Sequence, residues 1–142
     1  MSDPKVGEHN SATIHYSVGA VIHKDGRYLL IDRGVPPPGF AGVAGHIDEG
    51  EEAKEAIARE VAEETGLHVE SMELLWEEFV EWNWCSKGVT GHYWYVYACE
   101  VSGEIARDER ETKSAGWYSA EEIKVLPLER VWEYWFQKLH II

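Results

Sequence analysis

From Ile14 to His23 apolar and small residues place Tyr16, Val18, Ala20 and Ile22 on one face, which predicts a strand. Asp25-Gly26 is a tight-turn signal, and Tyr28–Asp32 (YLLID) is the predicted return strand of a hairpin. Val35–Gly45 (VPPPGFAGVAG) carries three prolines and three glycines. It predicts a loop with a short strand around Phe40–Val43, because no helix tolerates that composition. The period then changes. Glu51–Thr65 is built from Ala, Glu, Lys and Arg, all good helix formers, and Gly66 stands where a left-handed cap belongs. His68–Trp84 is apolar and aromatic, broken by polar singles, and predicts one or two strands. Ser86-Lys87-Gly88 is a turn, and His92–Val101 (HYWYVYACEV) is a strand rich in aromatic and β-branched residues. Charged Ser102–Ser114 reads as a loop, Ala115–Ser119 as a short strand, and Ser119-Ala-Glu-Glu as a capping box. A last helix is predicted from Pro127, with Leu128, Val131, Trp132, Trp135 and Leu139 as its buried stripe. The alternative use of that stripe is a homodimer contact. Strands and helices mix, so the fold class is α/β or α+β with a mixed sheet.

Composition narrows this picture. The chain has 142 residues, 44% of them hydrophobic, enough for one domain with its own core. Residues 1–12 are polar and without period and are expected to be a loose segment, with a single domain over 13–142. Asp and Glu total 26 against 13 Lys and Arg, a formal net charge of −13. That balance excludes a nucleic-acid polymer or an anionic membrane as the expected partner, since such binding runs on cationic side chains. Phosphates remain open to an acidic protein when metal ions stand between them and its carboxylates. There is no apolar run near ~18 residues and no apolar leader at the N-terminus, so the expected location is the cytoplasm. Cys85 and Cys99 are then expected to be reduced thiols with packing or surface roles.

The charges also make a pattern. At ~100° per residue, Ala53, Ala56, Ile57 and Val61 form one stripe of the predicted helix. Glu60 and Glu64 fall inside that stripe and Glu63 at its edge. An acid-rich helix is ordinarily a solvated face, but here the acids sit on the apolar side. Carboxylates turned inward need a cation or a metal. The i, i+3, i+4 spacing of Glu60, Glu63 and Glu64 lets their oxygens converge, and hard oxygen donors suit Mg²⁺ or Mn²⁺. Arg59 is placed to orient one acid through a bidentate pair. An Arg–Glu network without metal is the bland alternative. The preceding GHIDEG loop, Gly45–Gly50, lets backbone approach a ligand closely.

Gly45–Leu67, GHIDEGEEAKEAIAREVAEETGL, matches G-x5-E-x7-R-E-U-x-E-E-x-G-U, where U is bulky and apolar. Gly45, Glu51, Arg59, Glu60, Val61, Glu63, Glu64, Gly66 and Leu67 fill the fixed positions. The chain resembles the Nudix hydrolases, in their MutT-like form. Asp48, where many members carry Glu, and Ala44, where a second glycine is common, are small departures. The resemblance implies the Nudix fold, a mixed β-sheet sandwiched between helices. It implies hydrolysis of a nucleoside diphosphate linked to another group, such as a nucleoside triphosphate or nucleotide sugar. Carried over by position, Glu60, Glu63 and Glu64, with the Gly45 carbonyl, resemble the ligands of Mg²⁺ or Mn²⁺. Arg59 resembles the partner that orients Glu51. The general base is then Glu60 or an acid of the downstream loop. There Glu111 is singled out over Asp108 and Glu109, because its spacing before Trp117-Tyr118-Ser119 resembles that of the family's extra acid.

The expected partner is therefore a small nucleotide or related diphosphate. Outside the box the marks are few. The proline associated with ADP-ribose hydrolases is not found where the chain reads EWNWCS, and the NADH-type SQPWPFP run is absent. Trp82 and Trp84, set on one strand face, offer rings for base stacking, with core packing as the competing use. His46 in the box loop and Arg33 are candidate substrate contacts; Lys87 and Arg107 are weaker ones. His15, His23, His68 and His92 show no ligand spacing. The other readings are an isopentenyl-diphosphate isomerase-like enzyme, which needs a catalytic cysteine, and an inactive nucleotide-binding module, which an intact set of box carboxylates argues against.

Overall fold

A computed structural model describes residues 3–83, 89, 91–106, 110 and 112–142. Among the described residues, eight strands and three helices run as β1 (Val6–His9), β2 (Ala12–Lys24), β3 (Arg27–Arg33), β4 (Gly39–Ala41), β5 (Val43–His46), α1 (Ala53–Thr65), β6 (His68–Val80), β7 (His92–Ser102), β8 (Thr112–Tyr118), α2 (Ala120–Ile123) and α3 (Arg130–Lys138). The sheet is mixed, with β4-β3-β2-β7-β6 as its main path. β2 and β7 run parallel, and the other pairs are antiparallel. Strand β2 is the spine: it also carries β1 and β5. Asp25 and Gly26 both have positive φ, 52° and 76°, as a two-residue hairpin turn requires.

Alternation along β2 divides the interior in two. Val18, Ala20 and Ile22 pack beneath α1 with Ile57, Val61 and Leu67. Val21 faces the other way, into a cluster with Trp94, Trp132, Trp135 and Phe136. The sheet is thus sandwiched between helices, as the resemblance implied. Helix α1 ends at Gly66, whose φ of 75° is left-handed and whose N–H donates to the Ala62 carbonyl at 2.9 Å.

Several boundaries differ from the sequence reading. Val6–His9, inside the stretch expected to be loose, pairs with β2 in register from Val6↔His15 to His9↔Ala12. Sheet hydrogen bonds, which need no apolar periodicity, order it. Strand β6 is continuous but ends at Val80. Helix α3 begins three residues after Pro127. The Phe40 N–H donates to the Pro127 carbonyl and the Glu129 N–H to the Phe40 carbonyl, both at 2.9 Å. Those bonds tie Pro127–Glu129 to β4 before the helix can start. The α3 stripe is core: Trp132 and Trp135 are fully buried within this one chain, which removes it as a homodimer contact. Among the described residues no helix is long and apolar enough to cross a membrane.

Candidate active site

The site is assembled where β5 runs into α1. Arg59, on the second turn of the helix, reaches back over the loop. Its Nε donates to Glu51 Oε2 at 2.8 Å and its Nη2 to Glu51 Oε1 at 3.0 Å, a bidentate pair. Nη1 donates to Glu60 Oε1 at 2.8 Å and reaches Glu63 Oε2 at 3.5 Å. Nη2 also donates to the His46 carbonyl at 2.9 Å and lies 3.5 Å from Asp48. Glu51 is held from its other side, since Oε1 accepts the Asp48 N–H at 2.9 Å. The hydrogen bond from Arg59 holds the Glu51 carboxyl below its ordinary range, and Glu51 in turn raises the Arg59 guanidinium. Both stay charged. The arrangement fixes the loop to the helix and gathers acids around a single cation.

The three helix acids differ in exposure as the stripe predicts. Glu64 is 8% exposed, Glu60 is half-buried, and the Glu63 side chain is 58% exposed. Gly45 lies against Glu60, and a Cβ there would collide with the Glu60 carboxylate. Only glycine lets the strand end approach this acid so closely. Gly45, Arg59, Glu60 and Glu63 are therefore brought together, and Glu64 is buried one turn beyond Glu60.

The remaining candidates are scattered. Arg33 ends β3, where its Nε donates to the Pro37 carbonyl at 2.8 Å, so it braces the proline loop. His46 lends its carbonyl to Arg59, but its ring leaves the opposite face of β5 from the direction that meets Glu60. Trp82 is not on a strand. It lies past the end of β6, with its ring edge-on to Tyr134 at 5.6 Å between centroids and Arg130 stacked over it at 4.3 Å. It packs partly buried on the α3 side. Trp84 and Glu111 lie outside the described residues, as do Cys85, Lys87, Arg107, Asp108 and Glu109.

Two features escaped the sequence reading. Glu129, at the start of α3, is 6% exposed; burial pushes its carboxyl up to about 7, and its Oε2 has no hydrogen-bond partner among the described residues. Its charge resembles any surface Glu in sequence, and only the anchoring of Pro127–Glu129 to β4 buries it. The second is a group of histidines, His15, His46 and His92, drawn from three strands. Sequence separations of 31 and 46 residues hide it.

The sequence and the fold of this chain are similar to those of known proteins. NAD-capped RNA hydrolase NudC of Pseudomonas aeruginosa is 28% identical over 131 residues, 92% of this chain and 45% of that protein. Human NAD-capped RNA hydrolase NUDT12 is 34% identical over 105 residues, 72% of this chain and 21% of that protein. The chain thus spans less than half the length of these curated relatives. Among solved structures, a MutT NUDIX hydrolase from Burkholderia pseudomallei superposes with a TM-score of 0.74 at 27% identity, covering 84% of this chain and 92% of that one. A NUDIX hydrolase from Nitrosomonas europaea gives 0.73 at 24% identity, over 89% and 88% of the two chains, a likeness of fold. The NUDIX domain model matches residues 13–138, from the spine strand through the terminal helix. With the box residues gathered in space as well as in sequence, the chain belongs to the Nudix family.

Proposed function

We propose that this chain is a divalent-metal-dependent pyrophosphohydrolase that cleaves the diphosphate linkage of a nucleoside diphosphate joined to another group, a nucleoside triphosphate being the first candidate. The observation that carries the reading is the Arg59 guanidinium held between Glu51, Glu60 and Glu63, with Gly45 against Glu60 and Glu64 buried one turn further along α1. Among the described residues, the carboxylates of Asp48, Glu51, Glu60 and Glu63 all lie within 3.5 Å of the Arg59 guanidinium. A hard divalent cation fits that donor set and that excess of charge. Mg²⁺ or Mn²⁺ is assigned to Glu60, Glu63, Glu64 and the Gly45 carbonyl. Such an ion offsets the charge developing at phosphorus and lowers the pKa of an attacking water.

The chain's own residues do the rest. Arg59 and Glu51 hold the loop so that the Gly45 carbonyl and the helix carboxylates keep their spacing. Glu60 stands as general base, with Glu111, which precedes β8 in the sequence, as the alternative. Arg33 is assigned to substrate contact at the loop, and the His46 carbonyl helps Arg59 fix that loop. The isomerase-like alternative needs a reactive thiol; burial pushes the Cys99 thiol up to about 12, so it stays protonated at neutral pH. The cytoplasm is the compartment assigned to this activity.

A second reading rests on the names of the relatives: a dinucleotide cap on RNA would place the same linkage in the same site. The absent SQPWPFP run and the net charge of −13 favour the free nucleotide. A hydrolysis screen with Mg²⁺ over nucleoside triphosphates, nucleotide sugars, NADH and NAD-capped RNA tests both. Turnover of a triphosphate above the others supports the first reading. Preferred cleavage of the capped RNA supports the second, and no metal-dependent turnover of any member contradicts both.

A further inference from the structure

On the sheet face turned away from α1, three imidazoles meet. We propose that His15, His46 and His92 form a second metal site, for a transition ion of the Zn²⁺ class, separate from the carboxylate site on α1. One ring nitrogen from each lies within 4.8 Å of the other two. The three come from adjacent strands whose register sets them side by side. His15 of β2 pairs with His92 of β7, and His46 of β5 faces Ser17, two residues along β2 on the same face as His15. The neighbouring residue on β5, Gly45, faces Glu60 instead. Strand alternation therefore puts the two donor sets on opposite sides of one strand.

The ligand type differs too. Imidazole nitrogen suits Zn²⁺ and its neighbours, whereas carboxylate and carbonyl oxygens suit Mg²⁺ and Mn²⁺. His92 Nδ1 lies 2.6 Å from the Asn83 carbonyl. A carbonyl only accepts, so Nδ1 carries the proton and Nε2 presents its lone pair. Fixing of the ring by an outer carbonyl is the arrangement found behind metal-bound histidines. His92 Nε2 faces His46 Nε2 at 3.1 Å, with the two rings parallel to within 10°. Between those nitrogens the proton sits on His46 Nε2, and binding an ion there requires it to move to His46 Nδ1, so that both Nε2 atoms present lone pairs. Zn–N bonds of about 2.0–2.1 Å set tetrahedral ligands roughly 3.3 Å apart. The His46–His92 pair already has nearly that spacing, and the His15 ring closes by no more than ~1.5 Å. His15 and His92 are buried, at 6% and 3% exposure, while His46 is half-buried, which leaves the fourth position open on its side.

The test uses the full chain, stripped of metal and titrated with Zn²⁺ under saturating Mg²⁺. This keeps the carboxylate site occupied and leaves hydrolysis out of the readout. The expected result is one tightly held Zn²⁺, weakened at least ~10-fold by His46→Gln and by His92→Gln and unchanged by Glu64→Gln. Unaltered Zn²⁺ binding in both histidine variants, or its loss in Glu64→Gln, overturns the proposal. Wild-type protein loaded with Co²⁺ supplies a reading that needs no variant. Intense tetrahedral visible absorption supports a nitrogen site; the weak spectrum of an octahedral oxygen site contradicts it. Phosphate release in Mg²⁺ alone is a separate measurement, so the carboxylate assignment stands or falls independently.

Discussion

Gly45 and Arg59 set the tolerances of the site. A methyl group at position 45 would occupy the space of the Glu60 carboxylate. Gly45→Ala is therefore expected to push Glu60 off Arg59 and to weaken metal activation, raising the Mg²⁺ concentration needed for half-maximal turnover by about 10-fold or more. A Mg²⁺ titration of the variant checks this, and an unchanged midpoint argues against the close approach. Arg59→Lys keeps the charge but cannot span both oxygens of Glu51 and reach Glu60 as well. It is expected to lower kcat/KM at least ~10-fold. Glu129 makes a different prediction. Its folded pKa of about 7 lies above the usual 4.5, so the folded state holds its proton over that window and the unfolded state does not. Its contribution to stability is complete below pH 4.5 and is lost as pH rises to about 7, a change on the order of 3 kcal/mol. Denaturant unfolding of wild type and Glu129→Gln at pH 4.5 and pH 8 reads the difference. The variant is expected to gain on wild type at the higher pH, and parallel curves would show that Glu129 is charged and solvated.

At the scale of elements, α1 and α3 share one logic on opposite faces of the sheet. Each lays an apolar stripe on β2, but only α1 mixes acids into its stripe. That contrast was legible in the sequence, because helical period and residue type together place Glu60 and Glu64 inward. The turns at Asp25-Gly26 and Gly66 were equally legible, since their left-handed backbone restricts which residues serve. Less was legible where ordering comes from a partner strand. β1 has no period of its own, and Pro127 reads as a helix start until β4 binds its carbonyl. Trp82 had the residue type of a stacking platform, and only its turn beyond β6 shows it packing on Tyr134. Helix α3 is expected to be structural. Trp135→Ala leaves a cavity in the cluster with Trp94 and Trp132 and should cost roughly 3–5 kcal/mol. Denaturant melts check it, and an unchanged midpoint would make the helix peripheral.

For the molecule as a whole, the acidic balance and the sheet topology act together. Strand β2 carries α1 acids on one side of its sheet and His15 on the other, so one rigid element positions both donor sets. The net charge of −13 is repulsive in the folded chain, and acids concentrated at α1 make a bound cation stabilising in proportion to its affinity. The histidine group was hidden for the converse reason: its members join only through pairing across three strands. The most direct test of the account compares wild type with Glu64→Gln in Mg²⁺-dependent cleavage of a nucleoside triphosphate, with thermal unfolding of both proteins recorded with and without Mg²⁺. The account predicts turnover by wild type and a loss of at least ~100-fold in the variant, with its fold intact and its stabilisation by Mg²⁺ reduced. A folded Glu64→Gln protein with full turnover and unchanged metal dependence would contradict it.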